Sequence, residues 1–187
     1  DYARIRQNGL KAIELVEDDE LIQVQLTDGE EDLIVATHNG LSIRFNEKDV
    51  RSMGRTTRGV KAITLSKGDY VIGVAVVDNE SKLLAVTENG YGKKTEFDEY
   101  RAQSRGGKGI FTYKITERTG KLAGIKSVTD NEDIIIITSE GIIIRVHTDE
   151  ISTYGRQAQG VRVVKLGEGV NVVSLAMTAR EECEEDS

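Results

Sequence analysis

The sequence predicts an all-β protein, a propeller-like array of about four repeated units with four strands in each unit. Landmarks recur about every 50 residues, strand-like apolar patterns alternate with turns, and no segment keeps a 3.6-residue apolar period. The chain also lacks proline, which suits sheets because proline removes a ladder hydrogen bond. Repeats of this length are typical of propeller blades, which stack because one small sheet cannot bury both faces alone.

The repeat period is set by three landmarks that run in step. A glycine opens every unit, with spacings of 50, 50 and 51 residues: Gly9, Gly59, Gly109 and Gly160. A second glycine ends a turn in three units, with spacings of 50 and 51 residues: Gly40, Gly90 and Gly141. An acid followed by a bulky residue closes those three units: Asp49-Val50, Glu99-Tyr100 and Glu150-Ile151. Asp1-Tyr2 matches the closing landmark, as if left over from a preceding unit.

The landmarks divide the chain into an array of repeats and a short tail. We expect one β domain over residues 1–180, with units at about 1–50, 51–100, 101–151 and 152–180. The last unit is short, so its sheet needs strands from elsewhere, and strand exchange between neighbouring blades is one economical solution. Residues 181–187 carry five acids and no base and form an acidic tail.

The first unit shows the predicted strands most clearly. Residues 21–26 alternate apolar and polar side chains, as a half-buried strand does, and residues 33–36 are continuously apolar, as in a buried strand. Asn39-Gly40 then favours a two-residue hairpin turn, after which residues 41–45 return. The later units repeat the pattern at residues 71–77, 83–87 and 91–95, and again at 122–128, 134–138 and 142–146.

The formal charge of −7 hides a strong segregation of sign. Without the tail, 25 bases face 27 acids, a balance of −2. Residues 14–32 contain nine acids and no base, whereas residues 101–126 contain seven bases and one acid. The net charge by itself argues against nucleic-acid binding, but the distribution of charge matters more than the total, and a directional electrostatic surface requires this kind of sorting.

No residue pattern indicates catalysis, a metal or a cofactor. The single cysteine, Cys183, cannot form an internal disulfide, and His38 and His147 lie in different units, so we expect no metal site. Lys108 does not belong to a P-loop, because Ala102 stands where that motif requires a glycine. No nucleophile elbow is visible, so we expect no catalytic residue and no cofactor.

The chain shows no membrane segment or secretory signal. Its longest aliphatic run, residues 134–137, is far shorter than the roughly 20 residues that span a bilayer. No charged segment followed by an apolar stretch opens the chain. We therefore expect a cytosolic protein with no membrane partner.

Residues 103–109 carry a resemblance to a known family. They read Gln-Ser-Arg-Gly-Gly-Lys-Gly and resemble the GyrA-box, whose pattern is Gln-Arg-Arg-Gly-Gly-Arg/Lys-Gly. Six of the seven positions fit, and Ser104 is the departure. Residues 53–61 and 87–93 extend the resemblance to the C-terminal domain of the DNA gyrase A family, of the type IIA topoisomerases, over nearly the whole chain.

The resemblance implies both a fold and a function. The fold is a six-bladed β-pinwheel, a propeller relative with strands exchanged between blades, of which this chain corresponds to about the last four blades. The function is non-catalytic: the domain bends double-stranded DNA around a basic perimeter and supports ATP-dependent negative supercoiling by the gyrase holoenzyme. The implied partners are DNA, the remainder of the gyrase A subunit, and through it the gyrase B subunit, in a heterotetramer. The box here corresponds to a degenerate, later copy.

The predicted DNA-binding residues are cations at equivalent positions of the repeat, together with the box. Cations repeated around an arc produce a curved basic track, and the box glycines bring backbone N–H groups close to a phosphate. Three lie four residues beyond the turn glycine: Arg44, Lys94 and Arg145. Three lie two residues after the opening glycine: Lys11, Lys61 and Arg162. Three precede that glycine by four: Arg55, Arg105 and Arg156. The others are Arg58, Lys93, Arg101, Gln103, Gly106, Gly107, Lys108 and Gly109.

Alternatives remain open at this point. The chain could correspond to the C-terminal domain of topoisomerase IV, which has a similar array that wraps DNA less well. It could also be a propeller that serves as a protein-interaction scaffold, with the box as a basic flexible loop. The acidic tail is either a brake that competes with DNA or a solubilising terminus.

Overall fold

The computed structural model describes residues 9–180, so Asp1-Tyr2 and the tail at 181–187 lie outside the described residues. Within that range the protein is all-β, which confirms the predicted fold class. Its helical segments there are three-residue 3-10 turns: Glu47–Asp49, Phe97–Glu99 and Thr148–Glu150. None of these turns approaches the length that a membrane-spanning helix needs.

Residues 9–180 form eleven strands, most of them at the predicted positions. They are β1 (Asp32–Thr37), β2 (Leu41–Asn46), β3 (Val71–Val76), β4 (Lys82–Thr87), β5 (Tyr91–Thr95), β6 (Ile110–Phe111), β7 (Leu122–Val128), β8 (Glu132–Thr138), β9 (Ile143–His147), β10 (Val161–Arg162) and β11 (Val172–Ala179). All pairings between these strands are antiparallel.

Each sheet combines strands from successive units, so strands are exchanged between neighbours. A hairpin from one unit forms the middle of each sheet: β1–β2, β4–β5 or β8–β9. The next unit adds β3, β7 or β11 to the first hairpin strand. The unit after that adds β6 to β2 and β10 to β5. The strand orders are β3-β1-β2-β6 in sheet 1, β7-β4-β5-β10 in sheet 2 and β11-β8-β9 in sheet 3.

The number of sheets differs from the four four-stranded blades that the repeats predicted. Residues 9–180 form three sheets, of four, four and three strands. Strand exchange is the reason, because a complete sheet draws on three successive units. The last unit, at about 152–180, gives β10 to sheet 2 and β11 to sheet 3 and contains no hairpin among its described residues.

The strand predicted over residues 21–26 is wrong: none forms there, and Val24 and Leu26 are 77% and 90% exposed. By the repeat, this segment corresponds to β3, which pairs with the hairpin of the preceding unit. The described residues contain no hairpin ahead of this segment. The Gln23 side chain nevertheless bonds to the edge of sheet 1, donating to Val74 O and accepting from Val74 N.

The core lies between neighbouring sheets. One cluster joins sheets 1 and 2 through Ile34 and Leu83, and a second joins sheets 2 and 3 through Leu84 and Ile136, all of them fully buried. β3 packs against β7, and β7 packs against β11, so these strands form the inside of the array. The opposite sheet edges, at β6 and β10, therefore face outward.

Candidate nucleic-acid interface

The segments that link the units run along the outward sheet edges. Residues 101–111 run alongside β2. Gln103 N–H donates to Arg44 O at 2.8 Å, and β6 pairs with the first residues of β2. Residues 152–162 follow β5 in the same way, with Tyr154 N–H donating to Lys94 O at 2.8 Å. We call these two segments and their repeat equivalent, residues 51–61, the rim segments.

The rim segments are free of acids. Residues 51–61 carry four bases, residues 101–111 carry three and residues 152–162 carry two, with no Asp or Glu in any of them. An edge without carboxylates keeps a positive potential that interspersed acids would cancel. The rim is therefore the part of this acidic chain that suits a polyanion.

Arg44 and Arg145 are both ion-paired within their own sheets, Arg44 half-buried and Arg145 still exposed. Arg44 Nε donates to Asp32 Oδ2 at 2.8 Å, and its guanidinium also donates to Phe97 O at 3.0 Å. Arg145 Nε donates to Asp133 Oδ2 at 2.6 Å, and the Asp133 side chain is fully buried. Each arginine is thus paired with a carboxylate of its own hairpin, so these two cations contribute less net charge to the predicted basic track than their spacing suggests.

Lys94, the third member of that set, is buried. Its side chain is 4% exposed and binds the Asp130 carboxylate, and its Nζ donates to Thr148 O at 2.7 Å. The hydrogen bond from Lys94 lowers the pKa of Asp130. Lys82 occupies the repeat position of Asp32, so sheet 2 lacks the acid of sheet 1 and takes its carboxylate from a turn. Lys94 thus keeps the contact that Arg44 makes to the 3-10 turn of the following unit, but its carboxylate partner comes from a different position of the repeat.

Lys93 is buried, which contradicts its predicted place on the DNA surface. It is 0% exposed, and its Nζ donates to the carbonyl oxygens of Gly155 and Arg156 at 2.6 and 2.5 Å. The ammonium also lies 5.1 Å from the ring centroid of Tyr113. Burial lowers the pKa of Lys93 to about 8. Lys93 therefore holds a rim segment in place from beneath.

The arginines four residues before the opening glycine connect successive units. Each donates to the carbonyl oxygen two residues after the opening glycine of the preceding unit: Arg55 to Lys11 at 3.5 Å, Arg105 to Lys61 at 3.3 Å and Arg156 to Phe111 at 2.7 Å. Their side chains are half-buried, with part of each residue still accessible at the rim. The recurring contact gives these cations a structural role that sequence spacing did not predict.

The box glycines shape the turn and its packing. Gly106 has a φ of +81°, and its N–H donates to Ala62 O at 2.5 Å, so the prediction that this N–H faces a phosphate is wrong. A Cβ on Gly107 would lie 3.4 Å from Ile43 Cδ1, and one on Gly109 would lie 2.5 Å from Ser42 O. The glycines therefore let this segment lie flat against β2.

Besides the ion-paired Arg145, six of the predicted DNA-binding cations are exposed. They are Lys11, Arg58, Lys61, Arg101, Lys108 and Arg162. They lie in or beside the rim segments, except that Lys11 belongs to the equivalent stretch of the first unit. DNA contact stays a prediction for these six, and also for Arg145 and the half-buried Arg55, Arg105 and Arg156.

Sequence reasoning missed a basic cleft beside sheet 2. Its lining includes Tyr91, Arg118, Arg162 and Lys165, of which only Arg162 was predicted. The hydrogen bond from Arg162 lowers the pKa of the Tyr91 hydroxyl. A signal was present, because Arg118 lies in the basic stretch at residues 101–126. Its approach to Tyr91 depends on strand exchange and could not be inferred from spacing.

Three carboxylates come within 4.8 Å of one another at Asp28, Glu31 and Glu47. Glu47 Oε1 accepts hydrogen bonds from the backbone N–H groups of Gly29 and Glu31, at 2.8 Å each. The hydrogen bond from the Thr27 hydroxyl and the two backbone hydrogen bonds lower the pKa of Glu47. Burial raises the pKa of Glu31. The cluster is explained by the turn that Glu47 holds together.

Strand-exchanged sheets stacked side by side, with linking segments along their outer edge, define a module of the β-pinwheel type. The family described as "DNA gyrase C-terminal domain, beta-propeller" matches the chain at residues 1–28, 31–78, 81–129 and 132–179. The chain therefore belongs to the DNA gyrase C-terminal domain family, which confirms the resemblance found in the sequence.

Relatives agree with this assignment. The chain is 57% identical over 185 residues to the DNA gyrase A subunit of Streptococcus pneumoniae serotype 4, covering 99% of this chain and 22% of the relative. It is 48% identical over 184 residues to the DNA gyrase A subunit of Clostridium acetobutylicum, covering 98% of this chain and 22% of the relative. The chain thus spans about a fifth of the length of these relatives.

Two solved structures share the fold. The C-terminal domain of DNA topoisomerase IV superposes with a TM-score of 0.88 at 26% identity, covering 95% of this chain and 56% of that one. A DNA gyrase A C-terminal domain superposes with a TM-score of 0.84 at 27% identity, covering 91% of this chain and 58% of that one.

Proposed function

We propose that the chain binds double-stranded DNA along its rim, with little sequence preference, and bends it. The acid-free rim segments carry this proposal, and two of them, residues 101–111 and 152–162, run along outer sheet edges. Contacts made by exposed lysines and arginines are contacts to phosphates, which position a duplex without discriminating its bases. Bending costs several kcal/mol because the persistence length of DNA is about 150 bp, so many distributed contacts must offset it.

This binding would serve a larger enzyme. By family, the partners are the remainder of the gyrase A subunit, and through it the gyrase B subunit, and the setting is the bacterial cytoplasm and nucleoid. The bent duplex would support ATP-dependent negative supercoiling, with strand cleavage and ATP hydrolysis performed by other parts of the enzyme. We assign no chemical step to this chain.

The test is a linking-number measurement. A nicked plasmid is ligated with increasing amounts of the chain, the protein is removed, and the topoisomers are separated on a gel. A dose-dependent shift of the distribution supports bending with a defined hand. Absence of both a shift and DNA retention at low salt, with and without residues 181–187, would overturn DNA binding.

Substitutions locate the contact. Arg58, Lys61, Arg101 and Lys108 are changed together to Gln, and the control variant changes Lys48, Lys67, Lys114 and Lys121, which lie outside the rim segments. We expect the rim variant to lower the slope of log affinity against log salt by about 3 to 4, since each lost phosphate contact removes about 0.9. Equal losses in the two variants would contradict the rim as the binding surface.

A second candidate is binding without a defined wrap, as for a topoisomerase IV domain. The observation behind it is that the C-terminal domain of topoisomerase IV superposes as well as the gyrase A domain, with TM-scores of 0.88 and 0.84. Salt-sensitive DNA retention with an unshifted linking-number distribution would select this candidate. The same gel therefore separates the two.

A third candidate, a protein-interaction scaffold, is favoured by the exposed apolar side chains at residues 21–26, including Leu21 and Val24 at 54% and 77%. A scaffold would bind a protein partner through this surface and would not retain DNA. Retention of DNA that depends on the rim cations would exclude it as the main function.

A further inference from the structure

A basic cleft of about 500 Å³ opens beside sheet 2, at the start of β5 and next to β10. Three cations, Arg118, Arg162 and Lys165, line it together with the amides of Asn89 and Asn171. The described lining contains no carboxylate. Within residues 9–180, none of the three cations forms an ion pair with an Asp or Glu side chain.

Tyr91 fixes the two arginines. Arg162 donates a hydrogen bond to the Tyr91 hydroxyl at 3.1 Å, and its guanidinium carbon lies 5.6 Å from the centroid of the ring. The guanidinium carbon of Arg118 lies 5.2 Å from the same centroid, and this side chain also donates to Gln159 Oε1 at 2.9 Å. Tyr91 itself is 8% exposed, so its buried ring is a common packing surface for the two exposed arginines.

This arrangement leaves positive charge without compensation. Two guanidinium groups on one ring repel each other, and Lys165 adds a third charge to the same cleft. An anion placed among them removes that repulsion and gains charge-assisted hydrogen bonds. Guanidinium donors match the geometry of phosphate oxygens, and an ammonium adds a point charge.

The equivalent cleft beside sheet 1 lacks this character. It has a volume of about 420 Å³ and is lined by Asn39, Phe111, Lys114 and Ile115, among others. Phe111 stands at the repeat position of Arg162, so Lys114, the counterpart of Lys165, is the single cation in its described lining. A cleft thus lies beside sheet 1 and beside sheet 2. Of these two clefts, the one beside sheet 2 has the side chains to hold an anion.

We propose that the cleft formed by Arg118, Arg162 and Lys165 binds one phosphate group of a duplex lying along the rim. This inference rests on the proposed DNA binding and gives it one anchor at the turn end of sheet 2, next to its outward strand β10. Arg118 and Arg162 contact the phosphate oxygens, and Lys165 contributes charge from the wall of the cleft. Tyr91 is a positioning residue, because it holds the arginines without touching the phosphate.

The first experiment compares two triple variants that remove the same charge. Arg118→Gln, Arg162→Gln and Lys165→Gln change the cleft, and Lys67→Gln, Lys114→Gln and Lys121→Gln change three exposed cations elsewhere. Affinity for a short duplex is measured over a salt series, and circular dichroism checks that both variants fold. We expect the cleft variant to lose affinity about tenfold and the control about twofold or less.

The salt slope reports how many phosphates the cleft holds. A single shared phosphate lowers the slope by about one in the cleft variant, whereas three separate contacts lower it by about three. A decrease near three would overturn the shared site. If both variants lose affinity equally, the cleft is no anchor, although DNA binding stands.

A second experiment separates the sources of phosphate. The Nε–H signals of Arg118 and Arg162 are followed by NMR while a short duplex or inorganic phosphate is added at constant ionic strength. Shifts with the duplex support the proposal, whether or not inorganic phosphate also shifts them. Shifts with inorganic phosphate alone, or with neither ligand, would overturn it. If the unsubstituted chain retains no DNA at low salt, the proposed function fails first and this inference fails with it.

Discussion

Residues 9–26 and residues 109–128 are the same stretch of the repeat in two different surroundings. In the third unit this stretch forms β6 and β7, which add to the hairpins of the two preceding units. In the first unit it forms no strand among the described residues. Leu122 is 0% exposed, whereas Leu21 at the same repeat position is 54% exposed. The repeat sequence therefore encodes strands that form only when a neighbouring hairpin lies alongside.

The opening glycines show the same contrast at one backbone position. All four have a positive φ, between 66° at Gly160 and 81° at Gly59, so the turn itself is local. A Cβ would meet nothing within 4 Å at Gly9 or Gly59, but it would collide with Gly92 O at Gly160. The positive φ of the opening glycine is therefore determined by the local sequence, whereas the close contact at Gly160 depends on the neighbouring strand β5.

The largest difference is expected from Leu122→Ala against Leu21→Ala. Removing a fully buried leucine should cost about 3 to 4 kcal/mol of unfolding free energy, because a cavity remains in the core. The same change at exposed Leu21 should cost less than about 0.5 kcal/mol. Urea unfolding followed by circular dichroism measures both. Equal costs would show that residues 21–26 are packed in solution.

Gly160→Ala against Gly59→Ala tests the shared turn. The added methyl at residue 160 enters the space of Gly92 O, so we expect a loss of about 2 to 3 kcal/mol. At residue 59 only the positive φ opposes alanine, and about 1 kcal/mol should be lost. Thermal unfolding at one scan rate compares the two. A loss of similar size in both would mean that β10 does not lie against β5.

Lys93→Met removes a buried contact to a rim segment and changes the pH dependence of stability. The pKa of Lys93 is about 8 in the folded protein, lowered by burial from 10.5. The unfolded chain therefore binds more protons between these values, and stability attributable to this group rises as pH increases from about 8 to 10.5. We expect the methionine variant to lack this rise, a difference on the order of 2 kcal/mol across the window. Parallel pH profiles for the two proteins would contradict the buried ammonium.

Much of the fold follows from local pattern. The hairpins β1–β2, β4–β5 and β8–β9 could be predicted because alternation and a turn glycine lie within a few residues of each other. Sheet membership could not, since β10 pairs with a strand about 70 residues earlier and carries only two residues of pattern. The repeat period was enough to locate the units, but the exchange of strands between units is visible only in the structure.

The candidate site divides along the same line. Equivalent spacing located Lys61, which is exposed, but it equally selected Lys94, which is buried, and the predicted Lys93 beside it is buried too. Sequence spacing gives a position in the repeat and not the direction of a long side chain. Those directions depend on partners such as Asp130 and Gly155, which come from turns and units far along the chain. For the same reason the Tyr91 cleft was missed.

The smallest effect is expected at the edge of sheet 3, which has three strands among the described residues. Ile143 is 68% exposed on β9, whereas Ser42 at the same position of sheet 1 is fully buried and pairs with β6. Ile143→Lys should therefore change the unfolding free energy by less than about 0.5 kcal/mol. It should also reduce self-association in concentrated solution, measured by light scattering, because a charge on an open edge opposes strand pairing between molecules. A loss above about 1 kcal/mol would mean that Ile143 is covered in the folded chain.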